Sequence, residues 1–240
     1  MTLSEPEIGA YLAVLARVGG LAATAPVIGD AGVPLRARLV FVVAVSFAVG
    51  ATRAPVAFSA LPLVIAIELV VGLATGLTAR AVMSGVAIAG QFMGLSLGLG
   101  FASQYDPHAG ESAGVLRSLI TAIAGLGFLA AGGLEAIVRS AASSPAELSQ
   151  LAALGPAFLH HATAAFGQGL ALAAPIVLAA FVGNLALAVM NRAAPAVNVF
   201  SIALSAVLIL GGIVLLATAA HLIAAATDTA RAAIDVLSSY

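Results

Sequence analysis

Two ionisable side chains stand where an apolar helix tolerates them least. Glu68 lies near the middle of the apolar run 58–79, and Arg17 lies within 8–28. An ionisable group at the centre of a bilayer costs about 2.5–3.5 kcal/mol on insertion scales. Glu68 therefore needs a partner, a proton or a wet cavity. A proton-coupled transporter would use such a carboxylate as its coupling site. A buried ion pair, or a hydrogen bond to another helix, would make it structural. Arg17 poses the same question, and its long stem can also snorkel toward an interface. Gln91 is an amide in the same kind of setting. It sits beside Gly90 and Gly94, where it could hydrogen-bond across a helix seam.

Patterns associated with catalysis do not hold up in context. Gly94-Leu95-Ser96-Leu97-Gly98 matches G-x-S-x-G, but that nucleophile elbow needs a strand-to-helix turn with a His and an acid elsewhere. Here the match falls within an apolar helical run. Gly125-Leu126-Gly127-Phe128-Leu129-Ala130 matches a dinucleotide fingerprint without the preceding strand or following acid that the fold requires. Adjacent His160 and His161 point about 100° apart on a helix, and no HExxH or carboxylate cluster accompanies them. The chain has no Cys, which removes disulfides, thiolate chemistry and Cys-ligated zinc without fixing a compartment. No phosphate loop, cofactor motif or metal set is found, and the sequence reads as that of a non-enzyme.

The elements that must position these residues follow from composition. The 240 residues are 62% hydrophobic and 8% charged, with mean hydropathy +1.16. A soluble domain is roughly 25% charged, so the chain reads as an integral membrane protein or part of a membrane-embedded assembly. Net charge is −1, which leaves no basic field for nucleic acid. The N-terminus MTLSEPEIGA is acidic and shows no cleavable signal. Apolar segments run over 8–28, 37–52, 58–79, 81–102, 113–138, 157–190 and 197–226. They predict an all-α protein of six to seven helical segments without strands, since period-two alternation is absent. The second is short for a span. Pro175 in the sixth predicts a bend or two half-helices. Ser143-Ser144-Pro145-Ala146-Glu147 reads as a helix start, with a Ser cap and Pro in the first turn.

Every basic residue is Arg. Arg36, Arg38, Arg53, Arg80, Arg139, Arg192 and Arg231 spread over nearly every break, so the positive-inside rule gives no orientation. With Trp absent and Tyr scarce, there is no aromatic belt either. Both features fit a chain flanked by other protein more than by lipid. Gly90, Gly94 and Gly98 form overlapping GxxxG steps, and Gly72 with Gly76 forms another. Such faces let a neighbouring backbone approach closely, either inside one chain or at a seam with partner subunits. The polar gap 103–112 (SQYDPHAGES) reads either as an exposed turn or as irregular backbone folded into a lumen. Between Leu148 and Thr227 the only formal charge is Arg192, in NRAAPAVNVF, with Pro195 and Asn198 close behind.

Read together, these blocks resemble the FliR family, the flagellar type III export-gate proteins and their injectisome counterparts. The N-terminal ARVGGLAATAPVIGDAGVPLRARL carries Arg17, Thr24-Ala25-Pro26, Gly29, Val33-Pro34 and Arg38. ELVVGLATG carries Glu68, Gly72 and Gly76; AGQFMGLSLG carries Gly90, Gln91 and Gly94; the Asp106-Pro107 loop follows. GLALAAP starts at Gly169, and NRAAPAVNVF carries Arg192, Pro195, Asn198, Val199 and Phe200. The order of all blocks is kept. APAVNVF favours the flagellar branch, while the short C-terminus and the replacement of Lys by Arg depart from the pattern.

The resemblance implies a pore-forming subunit of a hetero-oligomeric export gate in the bacterial inner membrane, at the flagellar basal body or secretion-system base. It implies FliP-like and FliQ-like partners and an FlhB-like protein, with unfolded secretion substrates as cargo. It implies helical hairpins, a FliP-like part over 1–156 and a FliQ-like part over 157–240. It makes Gln104, Tyr105, Asp106, Pro107, His108 and Gly110 a pore plug. It makes Arg192, Pro195 and Asn198 the bend of a hairpin. A proton-coupled small-molecule transporter using Glu68 is the competing reading, although no internal repeat of the kind transporters carry is evident.

Overall fold

Helix starts and stops follow local chemistry. The computed structural model describes residues 4–99, 114–146, 148–193 and 199–239. Helix α1 is Glu5–Thr24. The Glu7 carboxylate accepts from the Ser4 backbone N–H at 2.7 Å and from its hydroxyl at 2.8 Å, and Pro6 occupies the first turn. The helix stops at Thr24 because Pro26 holds Ala25 extended, at ψ 149°. Helix α2, Leu35–Gly50, starts directly after Pro34.

Helix α3, Leu61–Ser96, runs for 36 residues. The apolar runs on either side of Arg80 thus share one helix, from Leu61 to Ser96. Arg80 does not break it, because its guanidinium reaches out to Asp30 at 2.6 Å while its backbone stays helical. The stop comes at Gly98, whose φ is +73°. Leu99 N–H donates to Gly94 C=O at 3.0 Å and Gly98 N–H to Leu95 C=O at 3.1 Å, the paired bonds of a left-handed helix cap. Gly98 therefore ends the helix instead of extending the 90/94 face.

The segment 113–138 divides the other way. Helix α4 is Val115–Ala130 and helix α5 is Gly133–Ala142. They meet at 58° across Gly132, which sits at φ +90°. Helix α6, Leu148–Ala193, is continuous through Pro156 and Pro175, so Pro175 does not split it. Helix α7, Val199–Ser238, passes well beyond residue 226. Ala226, Ala230, Ala233 and Leu237 recur at helical spacing and are fully buried, so the charges at Asp228, Arg231 and Asp235 fall on the opposite face. Seven helices and no strand are seen among the described residues. Four of them (α1, α3, α6 and α7) are long and apolar enough to cross a membrane, and the bent pair α4–α5 could supply a fifth span.

The chain packs as two compact units. Unit 1 comprises 1–83, 125–164 and 230–240. Its core joins α1, α2, α3, the end of α4, α5 and the end of α7, centred on Leu21, Phe128, Ile137 and Leu237. Unit 2 comprises 84–124 and 165–229, with Val86, Met93, Ala173 and Ile176 among its buried residues.

Candidate functional site

Unit 1 contains a buried polar hub. Glu68 on α3 and Arg17 on α1 are each 1% exposed. The Arg17 Nε faces Glu68 Oε2 in a direct ion pair. A second guanidinium, from Arg53 in the 51–60 connection, lies 3.5 Å from Glu68 Oε1. Glu68 Oε1 also accepts the Ala146 backbone N–H at 3.1 Å. One carboxylate thus ties two cations and a loop amide together.

Each cation also donates to oxygens around it, while Arg17 Nη2 and Arg53 Nε are buried without a hydrogen-bond partner among the described residues. Arg17 Nη1 donates to Ser143 Oγ at 2.6 Å, Ser144 C=O at 3.2 Å and Ser140 C=O at 3.3 Å. Arg53 Nη2 donates to Ala141 C=O at 3.0 Å. Ser140 and Ala141 belong to the last turn of α5, where carbonyls lack intrahelical partners and the helix dipole favours cations. Two guanidiniums against one carboxylate leave a surplus positive charge, which this helix end partly offsets. Burial and the neighbouring Arg17 pull the Arg53 guanidinium below the usual arginine range, with Glu68 opposing. It stays charged at any physiological pH.

The pattern of 143–147 predicts the start of a helix, but 143–146 is a non-helical strap, Glu147 lies outside the described residues and α6 is described only from Leu148. Ser143 does act as a cap, but for Arg17. Its hydroxyl accepts from the guanidinium and donates to Ser140 C=O at 2.8 Å. Arg17 does not snorkel, since a buried carboxylate and a cage of carbonyls hold it inside. Arg53 was legible only as a loop cation. Its role depends on a fold-back that spacing does not encode.

Glycines set how closely the helices cross. A Cβ at Gly72 would collide with the Arg17 carbonyl, and one at Gly76 with the Thr24 hydroxyl. Across the same crossing, a Cβ at Gly20 would lie 2.7 Å from Leu69 C=O. The Thr24 hydroxyl donates to Leu73 C=O at 3.0 Å. The Gly72/Gly76 step is therefore a seam within the chain, between α1 and α3, and it presses the backbone of Arg17 toward Glu68.

In unit 2 a Cβ at Gly90 would lie 2.6 Å from the Arg117 Cα at the start of α4. One at Gly85 would lie 2.6 Å from Ala165 C=O on α6, and one at Gly169 would meet Gly85 C=O. A Cβ at Gly94 meets nothing within 4 Å among the described residues, and Gln91 is exposed. Gly85 and Gly169 were missed as packing residues, because neither is paired at four-residue spacing with another glycine on its own helix.

Arg192 is exposed in the last turn of α6, where a cation suits the dipole. Pro195 and Asn198 lie outside the described residues, as do Gln104, Tyr105, Asp106, Pro107, His108 and Gly110. A Cβ at Gly183 on α6 would meet Leu210 at 3.1 Å and Val207 at 3.7 Å on α7. Those positions are nearly equidistant from 194–198, the pairing an antiparallel hairpin produces. His160 and His161 stack edge to face, with ring centroids 5.5 Å apart. Among the described residues no group of His, Asp and Glu could hold a metal ion.

Comparison with known proteins draws these features together. The family model for bacterial export proteins, family 1, matches residues 8–233. The flagellar biosynthetic protein FliR of Escherichia coli K12 is 32% identical over 84% of this chain and 80% of its own length. That of Aquifex aeolicus is 34% identical over 62% of this chain and 59% of its own length. That of Caulobacter vibrioides is 28% identical over 94% of both chains. The match spans the hub, the glycine crossings and both long C-terminal helices, and the chain belongs to the bacterial export proteins of family 1, the FliR family.

Proposed function

We propose that this chain is a pore-forming subunit of the flagellar type III export gate, assembled in the bacterial inner membrane. On this reading its partners are FliP-like and FliQ-like subunits and an FlhB-like protein, and its cargo is unfolded secretion substrates. The observation that carries the proposal is the mismatch between helix length and cover. Helix α6 has 46 residues and α7 has 40, which is about 69 Å and 60 Å of helix. The hydrocarbon core is only about 30 Å thick. Only 17% of the most apolar window of each helix is buried within the chain. Leu178, Phe181, Leu185, Ile209 and Leu216 are all more than half exposed. Lipid cannot cover that much apolar length at ordinary tilts, whereas neighbouring apolar helices can.

The residues divide the work on this reading. The hub fixes α5 and the strap leading to α6 against α1 and α3, giving the 1–156 part a rigid base. The 157–240 part supplies the α6–α7 hairpin that packs among partner helices, with its bend at Arg192, Pro195 and Asn198. The loop from Gln104 to Gly110 closes the pore as a plug, and the subunit works by packing and gating without catalysis. Glu68 held by two arginines favours a structural role over the proton-coupled transporter.

Co-expression with FliP-like and FliQ-like subunits tests the proposal. A single large complex on native gels is expected, together with ion leakage in cells whose gate lacks 103–112. A lone chain that stays monodisperse and exchanges protons for a small solute in vesicles would overturn it.

A further inference from the structure

We propose that the groove between α1 and α2 binds an acyl chain of an anionic phospholipid whose headgroup phosphate meets Arg36. The groove encloses about 230 Å³ and is lined by Ile8, Tyr11, Leu12, Leu15, Val43 and Phe47, with Ser46 recessed at its floor. The Ser46 hydroxyl is buried and has no hydrogen-bond partner among the described residues, and the surface the groove presents is almost wholly apolar. A pocket of this size and lining does not hold ordered water and takes an apolar filler. Tyr11 and Phe47 stack across its far end with centroids 5.7 Å apart, so the two walls are held together there. The groove opens onto the bare face of α2, where Leu39, Val40, Val43 and Phe47 are 53–69% exposed.

Two features choose this occupant over a partner helix. The first is length. From Arg36 to Phe47 the helix rises about 17 Å, close to one leaflet of the roughly 30 Å core. A chain anchored at Arg36 ends where the groove ends. Helices α6 and α7 far exceed any such match. The second is charge. Arg36 is exposed at the start of α2, and among the described residues no ion pair involves it. Neighbouring Arg38 holds Ile28 C=O at 3.1 Å and Asp30 C=O at 3.0 Å, and Asp30 is paired with Arg80, so these groups neither neutralise Arg36 nor compete with it. The opposite end of the helix pair carries Glu5 and Glu7, which repel an anionic headgroup there. The pair therefore accepts the lipid from one leaflet only. A long cationic side chain over an apolar face is a suitable headgroup contact.

The chain has no Trp, so one introduced Trp is a unique reporter. Phe47→Trp keeps an aromatic ring in the groove, and Val43→Trp is the second probe should the first misfold. Each is reconstituted in nanodiscs with brominated phosphatidylglycerol or brominated phosphatidylcholine, with Leu178→Trp on α6 as reference. Quenching at position 47 should favour phosphatidylglycerol about fivefold, the ratio that about 1 kcal/mol per arginine corresponds to. Arg36→Gln should bring that ratio to about one and leave the reference unchanged. Equal quenching by both lipids, or a preference that survives Arg36→Gln, overturns the proposal. So does an unquenched probe in the assembled complex, which would mean that protein fills the groove. Assembly on native gels is scored separately, and the lone chain gives the same ratio test if no complex forms. The gate and the lipid site can thus fail independently.

Discussion

The two units hold their helices together by different means. Unit 1 combines glycine crossings with a directional charge network, in which Glu68 sets the register of α1, the 51–60 connection and the strap at once. The described residues of unit 2 carry only three formal charges, Arg117, Arg192 and Asp228, and its closest helix approaches are glycine against backbone, at Gly85, Gly90 and Gly169. A hydrogen-bonded network tolerates few arrangements, because an unmet buried charge is costly. Apolar packing through glycines fixes distance but permits sliding. The contrast suits a rigid base in unit 1 and helices in unit 2 that settle finally against neighbours.

The largest effect should come from removing the hub's only carboxylate. Glu68→Ala strands two buried guanidiniums and should cost about 3–5 kcal/mol, read as a loss of thermal stability of the detergent-purified chain. Glu68→Gln keeps an acceptor for the Ala146 amide and should cost less. If export falls with Glu68→Gln only as far as complex yield falls, the residue is structural. Export abolished at full yield would point to proton coupling instead. Arg53→Met should be milder, about 1–3 kcal/mol, since it removes the surplus cation and leaves mainly the Ala141 carbonyl unmet. A cost for Arg53→Met equal to that for Glu68→Ala would show that the surplus charge does not matter.

Next come the crossings. Gly72→Ala and Gly90→Ala each place a methyl against backbone that cannot swing aside, and should cost about 1–3 kcal/mol. Gly72→Ala should also disturb the hub, so combined with Glu68→Ala it should cost less than the sum. Gly90→Ala should add to Glu68→Ala in full. The smallest effect is at Gly94. A Cβ there would meet no described residue within 4 Å, so Gly94→Ala should change the stability of the lone chain by no more than about 1 kcal/mol. A loss of assembly confined to the complex would then mark Gly94 as facing a partner subunit. Double-mutant unfolding measurements on the same preparations check the set.

Much of this was legible in the sequence. Apolar runs specified an all-helical chain, because twenty apolar residues in sequence have few alternatives. Helix ends were harder to read. Arg80 looks like a break until Asp30 is seen to meet its guanidinium, and Asp228 looks like an end until the buried Ala230, Ala233 and Leu237 are seen on the other face. Glu68 and Arg17 stood out because isolated charges in apolar runs must find partners. Which partners they find depends on strap 143–146 folding back across more than seventy residues, and local pattern carries no trace of that. Gly98 illustrates the reverse case. Its spacing fits a packing seam, and only its left-handed backbone identifies it as a helix stop.

The central claim is that protein, and not lipid, covers the long apolar helices. Leu216 on α7 is the most direct place to test it, being 78% exposed in the chain alone. A photoreactive benzophenone amino acid at position 216 would be irradiated in cells making the whole export apparatus. The gate reading predicts discrete protein adducts, lost when the FliP-like and FliQ-like subunits are deleted. Adducts with lipid alone, unchanged by those deletions, would contradict it.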